Sequence, residues 1–190
     1  DLVSMHHYLE HTLDPRAELV AAHTALAAGG GLLIEVPDPE FLLGKIFGRY
    51  WLPWFQPQHQ HLLSRKNLER VLGEAGFAVK AWERAEAHQP VDAMFAVLLA
   101  LRNLAPPDAP WRPAPTWLGK AWRVVVWSLG TPFLALGFAL DWLGGPVVRA
   151  LGMSNTYRVL AVKEAERTQS PVPTLLAGSA PSPVGRRPPT

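Results

Sequence analysis

Asp1-Leu2-Val3-Ser4-Met5-His6-His7-Tyr8-Leu9-Glu10-His11-Thr12-Leu13-Asp14-Pro15 opens the chain, and the rest is read outward from how these residues divide. Residues 2–5 are a short apolar run that reads as a β-strand. A polar cluster follows: His6, His7, Glu10 and His11. Asp14-Pro15 predicts a helix start, with Asp14 as the cap and Pro15 at the first helical position, where its missing N–H costs nothing. Ligands of parallel sheets bind in the crevice beyond the strand ends. The spacing therefore sets the four polar residues where chemistry is usually done.

The helix is expected over 15–27, with Leu19, Val20, His23 and Leu26 on one face and Gly29-Gly30-Gly31 stopping it through positive-φ residues. Leu32 to Val36 is a continuous apolar strand whose ladder Pro37 ends. Strand, crossover helix and strand make a right-handed βαβ unit, so the class is α/β. A strand buried on both faces of a parallel sheet needs neighbours on both edges, which predicts residues upstream of Asp1 or a covering partner. Residues 38–63 read as one long loop rich in aromatics, proline and histidine, of a length typical of binding loops. Ser64 caps a helix over 65–75, with Leu63 and Leu68 spaced as a hydrophobic staple. Gly76 ends it and a strand runs from Phe77 to Trp82. An apolar helix follows over 91–104, then the proline-rich linker APPDAPWRPAP.

Hydrophobic residues make up 48% of the 190 and charged ones 18%, an apolar balance for a soluble chain. There is no cysteine, which excludes disulfides and thiolate metal sites. A formal net charge of +2 gives no case for a nucleic-acid partner. The least polar region runs from Trp117 to Leu151, with no charge between Arg123 and Asp141. Gly130-Thr131-Pro132 interrupts it, so two shorter helices are expected rather than one rod. Three environments suit it: a helical cap packed on the sheet, an interfacial or lipid-pocket hairpin, and a membrane span. Trp117, Trp122, Trp127 and Trp142 with Lys120, Arg123 and Arg149 suit a headgroup boundary. Residues 156–162 form a last strand. From Glu166 the tail is proline-, serine- and arginine-rich and reads as disordered.

His7-Tyr8-Leu9-Glu10-His11 spells H-x-x-E-H, the inverted zinc-peptidase string, which needs a continuous helix around it. Asp14-Pro15 starts a new helix within a turn, so the string is expected in a loop.

The same stretch resembles the segment after the fourth strand of class I S-adenosylmethionine (SAM) dependent methyltransferases, where D-x-V-x-x-x-x-x-L-E-H-x-x-D-P strings recur. The likeness continues through Gly30-Gly31-Leu32-Leu33-Ile34-Glu35-Val36-Pro37, Pro57-Gln58-His59, Leu63-Ser64 and Leu72-Gly73-Glu74-Ala75-Gly76-Phe77. It covers about the first half of the chain and, beyond that, the last strand. The resemblance implies a Rossmann-like sheet with helices on both faces, strands in the order fourth, fifth, seventh, sixth, and the last antiparallel. It divides the chain into a core over 1–89, an apolar helical insertion over 90–155, the last strand over 156–165 and a tail over 166–190.

By position, the resemblance implies SAM as cofactor, with Met5 and His6 at its sulfonium end. His7, Glu10, His11 and His59 become the candidate catalytic set. A histidine near neutral pKa suits removal of the acceptor's proton; holding the loop by hydrogen bonds is the equal alternative for any one of them. Glu10 has the alternative of tying the loop down by accepting backbone N–H bonds. Glu35-Val36-Pro37-Asp38-Pro39 resembles the family's E-V-P-N-P and implies the floor of the acceptor site. Some relatives hold a divalent metal through E-x-x-E-H and a distant histidine. Here His7 replaces the first glutamate, so no metal ligand is assigned, although the ligand types admit a transition metal. The family's glycine-rich loop and ribose-binding acid are not in this sequence. Gly29-Gly30-Gly31 is not that loop, because it follows a helix and precedes a strand. The expected chain is thus the C-terminal portion of a methyltransferase, with weak or absent SAM binding alone. A small or lipid-like acceptor, a cytoplasmic location and contact with a membrane surface through 117–151 complete the expectation. The rival is a membrane-surface binding module that keeps the fold without catalysis.

Overall fold

The computed structural model describes residues 1–54, 57–84 and 91–164. The tail expected to be disordered, 166–190, lies outside the described residues. Strand β1 (Leu2–His6) leads through a 3₁₀ turn, Leu9–His11, into helix α1 (Pro15–Ala25) and strand β2 (Gly31–Pro37). Helix α2 (Leu42–Phe47) and 3₁₀ turns at Gly48–Tyr50 and Leu52–Trp54 follow. Then come α3 (Arg65–Glu74), β3 (Phe77–Glu83), α4 (Asp92–Leu104), α5 (Trp117–Ala150) and β4 (Thr156–Lys163). The sheet order is β1-β2-β4-β3. β1 and β2 are parallel, and β4 runs antiparallel to both its neighbours. That is the expected α/β sheet, order and directions included.

The caps form as the sequence predicts. The Asp14 carboxylate accepts from the N–H groups of Arg16 and Ala17 at 2.9 and 3.1 Å. Ser64 Oγ accepts from Asn67 N–H at 3.3 Å. Gly76 ends α3 with φ +85°. One core holds the sheet to α1 and α3: Met5, Leu32, Ile34, Tyr157 and Val159 pack with Leu19, Leu26, Leu68 and Leu72. Residues paired across strands share a face, so α1 and α3 both lie on the face of Ile34 and Val159. Across it, Lys163 Nζ donates to the carbonyls of His23 and Leu26 at the end of α1. The other face carries His6, Glu35, Arg158 and Leu160, and Leu160 is 38% exposed.

Several local expectations are corrected. Val20 is 55% exposed; Ala22 takes its place beside Leu19, because a true 3.6-residue period puts 19, 22 and 26 on one stripe. α1 closes at Leu26 in an extended conformation, and of the three glycines only Gly29 has positive φ. Pro37 stays in the ladder, paired with Thr156. The segment 38–63 is not all loop, since α2 and two 3₁₀ turns organise it around the buried Trp51. β1 is the edge strand of the described sheet, where the expected upstream residues or partner would pair with it.

The largest correction is α5. It is one helix of 34 residues, roughly 50 Å long, with Pro132 and Pro146 inside it. An interior proline costs about 3 kcal/mol. The seam against α4 offsets it: Leu101 and Val126 are buried there with Ala105, and Val97, Trp127 and Leu134 pack against them, each buried Leu or Val contributing about 1.5–3 kcal/mol. Gly137 lets the backbones touch, since a Cβ there would lie 2.9 Å from Met94 Cα. Asp141, the one acid in the apolar stretch, accepts from Ala93 and Met94 N–H groups at 2.9 Å and caps α4. At the opposite end Trp122 Nε1 donates to the Leu104 carbonyl. α4 and α5 are therefore an antiparallel pair.

Candidate functional site

The site grows from the end of β1. His6 pairs with Glu35 in the register, and the His7 N–H donates to the Glu35 carbonyl at 2.9 Å. His7 then turns with φ +45°, the single described non-glycine residue at positive φ. Such a conformation costs roughly 1–3 kcal/mol and persists where the surroundings over-determine it. Here they do. His7 Nδ1 is 3.0 Å from Glu10 Oε1, and Nε2 is 3.5 Å from Glu35 Oε1. The positive φ and the short 3₁₀ turn break any continuous helix through H-x-x-E-H, so the peptidase arrangement is not formed.

Glu10 is 1% exposed. Its second carboxylate oxygen has no hydrogen-bond partner among the described residues. The expected backbone N–H bonds to this carboxylate are absent there. Instead the Glu10 carbonyl accepts from Gln60 and His61 N–H groups at 2.8 and 3.2 Å. The loop is tied down by main chain, and the side chain is turned to His7.

Two carboxylates and a guanidinium set the charge. Arg158 on β4 pairs with Glu35, and His6 Nδ1 lies 3.6 Å from it. Burial pushes the Glu35 carboxyl up, but the Arg158 hydrogen bond and charge, with His7 and His6, hold it below the ordinary value. His7 moves the other way. The Glu10 hydrogen bond raises its pKa above 6.5 despite burial, and the charges of Glu10 and Glu35 add to the rise.

The main-chain tie brings His59 to the cluster. The His11 and His59 rings meet edge to face, 4.6 Å between centroids. His11 Nδ1 donates to the Gln58 carbonyl and His59 Nδ1 to the Pro53 carbonyl, both at 2.8 Å. A carbonyl only accepts, so Nδ1 carries the hydrogen and Nε2 is the basic nitrogen of each neutral ring. Glu10, His11 and His59 each offer a ligand atom within 4.8 Å of the others. Two imidazoles oriented by carbonyls and one buried carboxylate fit a transition metal better than magnesium.

His7 and His59 line one cavity of about 210 Å³, with Pro37, Phe95, Asp92 and Asn155 on its other walls. Of the other sequence-chosen residues, Met5 is buried in the core, and His6 stands half-exposed on the opposite sheet face. Sequence reasoning missed Asp92, Asn155 and Trp51. Asp92 accepts from Trp51 Nε1 at 2.8 Å and from Asn155 Nδ2 at 2.9 Å, which joins the 38–63 segment, α4 and the residue preceding β4 around the cavity. The available signal was an acid opening an apolar helix, since such a group buries only with partners.

Residues 1–81 match a family model described as a methyltransferase domain. No curated protein matches the chain. Among solved structures, the chain is similar to a SAM-dependent methyltransferase from Archaeoglobus fulgidus, at 21% identity over 86% of this chain and 59% of that one, TM-score 0.43. It is similar to a SAM-dependent methyltransferase from Thermotoga maritima, a possible histamine N-methyltransferase, at 14% identity over 86% and 56%, TM-score 0.46. A third is Haemonchus contortus phosphoethanolamine N-methyltransferase 2 in complex with S-adenosyl-L-methionine, at 16% identity over 86% and 33%, TM-score 0.42. The chain spans less than two thirds of the length of each.

Proposed function

We propose that the chain, whose residues 1–81 match a methyltransferase-domain model, forms the acceptor side of a SAM-dependent methyl-transfer site for a small or lipid-like acceptor. The observation that carries the reading is the pairing of His7 and His59 across one cavity at the strand ends. Bound SAM would supply an electrophilic methyl group to a lone pair of the acceptor, leaving as the neutral thioether. The acceptor's proton passes to a base. The cavity walls hold the acceptor in line, the larger part of the catalysis. His59 Nε2, or His7 once neutral, takes the proton. Met5 lies in the core and His6 on the opposite sheet face, so neither lines the cavity of His7 and His59; SAM would meet the chain at the end of β1, which supplies only part of the cofactor site.

The test is transfer of labelled methyl from millimolar SAM to a panel of amines, alcohols and lipid extracts. Only slow transfer is expected from a partial cofactor site, and it falls at least tenfold in His59→Ala and in His7→Asn. Equal product in both variants and the parent contradicts the assignment. In calorimetry, micromolar SAM affinity contradicts the partial cofactor site.

A second reading is a membrane-surface module without catalysis. It is favoured by α5, whose apolar residues Leu129, Phe133 and Leu143 are each at least 60% exposed. α5 is also long and apolar enough to cross a membrane, by length and composition.

A further inference from the structure

A groove of about 410 Å³ lies between α2, α4 and α5. α4 divides it from the cavity of His7 and His59: Asp92 and Phe95 line that cavity, and the stripe from Ala93 to Ala100 lines the groove. Its floor on α4 is low, because Ala93, Ala96 and Ala100 carry only methyl groups. Apart from the Tyr50 hydroxyl, no side chain lining it carries a polar group. Ile46, Phe133, Leu136 and Leu140 on its walls are each more than half exposed. Water gains by leaving such a surface. The groove's size falls within the range of about 300–1,000 Å³ usual for small-molecule sites. A protein partner would bury about 800 Å² a side, more than a furrow about 10 Å long along α4 offers.

One end of the groove carries a cation. Arg49 Nη2 donates to the Tyr50 hydroxyl at 3.1 Å, and the guanidinium lies 5.1 Å over the Tyr50 ring. Arg84, Arg123 and Arg158 each pair with a carboxylate; Arg49 pairs with none among the described residues. A guanidinium has five N–H donors, and its planar fork matches a carboxylate. The Tyr50 hydroxyl accepts from Arg49 and keeps its own hydrogen to donate. The bond from Trp51 to Asp92 sets this turn beside the start of α4. Asp141 stands at the same end, but both its oxygens accept from the first turn of α4, where the helix N-terminus offsets its charge.

We propose that the groove is a second site, separate from the cavity of His7 and His59, and that it binds one free fatty acid. The carboxylate sits against Arg49 and Tyr50, and the alkyl chain runs along α4 toward Ala100. The site does not depend on methyl transfer, because α4 and the Trp51–Asp92 bond stand between it and the cavity.

The experiment is calorimetric titration of the chain with hexanoate, octanoate and decanoate below their micelle concentrations. One fatty acid per chain is expected to bind, with affinity rising about fourfold per methylene. Decanol and decylammonium should bind the parent more weakly than decanoate. Arg49→Gln, at an exposed position, is expected to weaken decanoate about tenfold and leave decanol unchanged. Ala100→Phe fills the far end and should weaken decanoate by about tenfold or more. Val97→Phe repeats that arm should the first variant not fold. Affinity that is flat with length, several equivalents bound, or decylammonium as tight as decanoate overturns the proposal. So does decanoate binding that is equal in Arg49→Gln, or in the groove variants, and the parent. Flotation with phosphatidylglycerol vesicles but no uptake of decanoate would make this face a bilayer contact instead, and overturns it too.

Discussion

His7 lies between two carboxylates in a backbone conformation few histidines adopt, and its protonation ties the stability of the loop to the chemistry. Its folded pKa is raised above 6.5, so its pairing with Glu10 and Glu35 stabilises the fold fully below pH 6.5 and is lost as pH rises through the raised value. The Glu35 pKa is held below 4.5, so its pairing with Arg158 is fully present above pH 4.5 and is lost as pH falls through the lowered value. Thermal melts should therefore place maximum stability between pH 4.5 and 6.5. A proton-accepting His7 needs the neutral ring, so any methyl transfer that uses it rises with pH above that window. Coincident optima would contradict this division. Glu10→Gln removes the main cause of the raised value. NMR titration should then show the His7 pKa falling toward 6.5.

At the scale of elements, the α4–α5 pair depends on two local devices. Asp141→Ala deletes the two bonds to the first turn of α4 and should cost about 0.5–2 kcal/mol, as loss of a helix cap does. Gly137→Ala presses a methyl against the Met94 backbone, which does not yield as a side chain would, and should cost about 1–3 kcal/mol. Equilibrium unfolding measures both; unchanged stability in Gly137→Ala would mean that the helices do not touch there. Local signals sufficed where a single side chain controls an element. Asp14, Ser64 and Gly76 set the ends of α1 and α3, and all three were legible. α5 was not, because Pro132 is a local breaker and the seam that overrides it joins residues some 25 apart. Nor was the role of Asp92, whose partners Trp51 and Asn155 are distant in sequence. The approach of His59 to His11 was expected on the resemblance alone; the main-chain bonds at Glu10 that produce it have no sequence signature.

Over the whole molecule, a four-stranded sheet with α1 and α3 on one face carries the histidine cluster at its strand ends. An apolar helical pair stands beside that cluster. Flotation with anionic liposomes separates the two roles offered for the pair. A membrane-surface module floats, and loses flotation when residues 117–151 are removed. A helical cap that only encloses the acceptor site stays in the dense fraction with those residues present. The central claim, that the ends of β1 and β2 meet SAM chemistry, is tested most directly by NMR titration with S-adenosylhomocysteine, following the imidazole resonances. The account predicts that His6 and His7 shift with a dissociation constant in the millimolar range while His23, at the end of α1, stays fixed. Shifts confined to residues away from the β1 strand end, or none at saturating ligand, would contradict it.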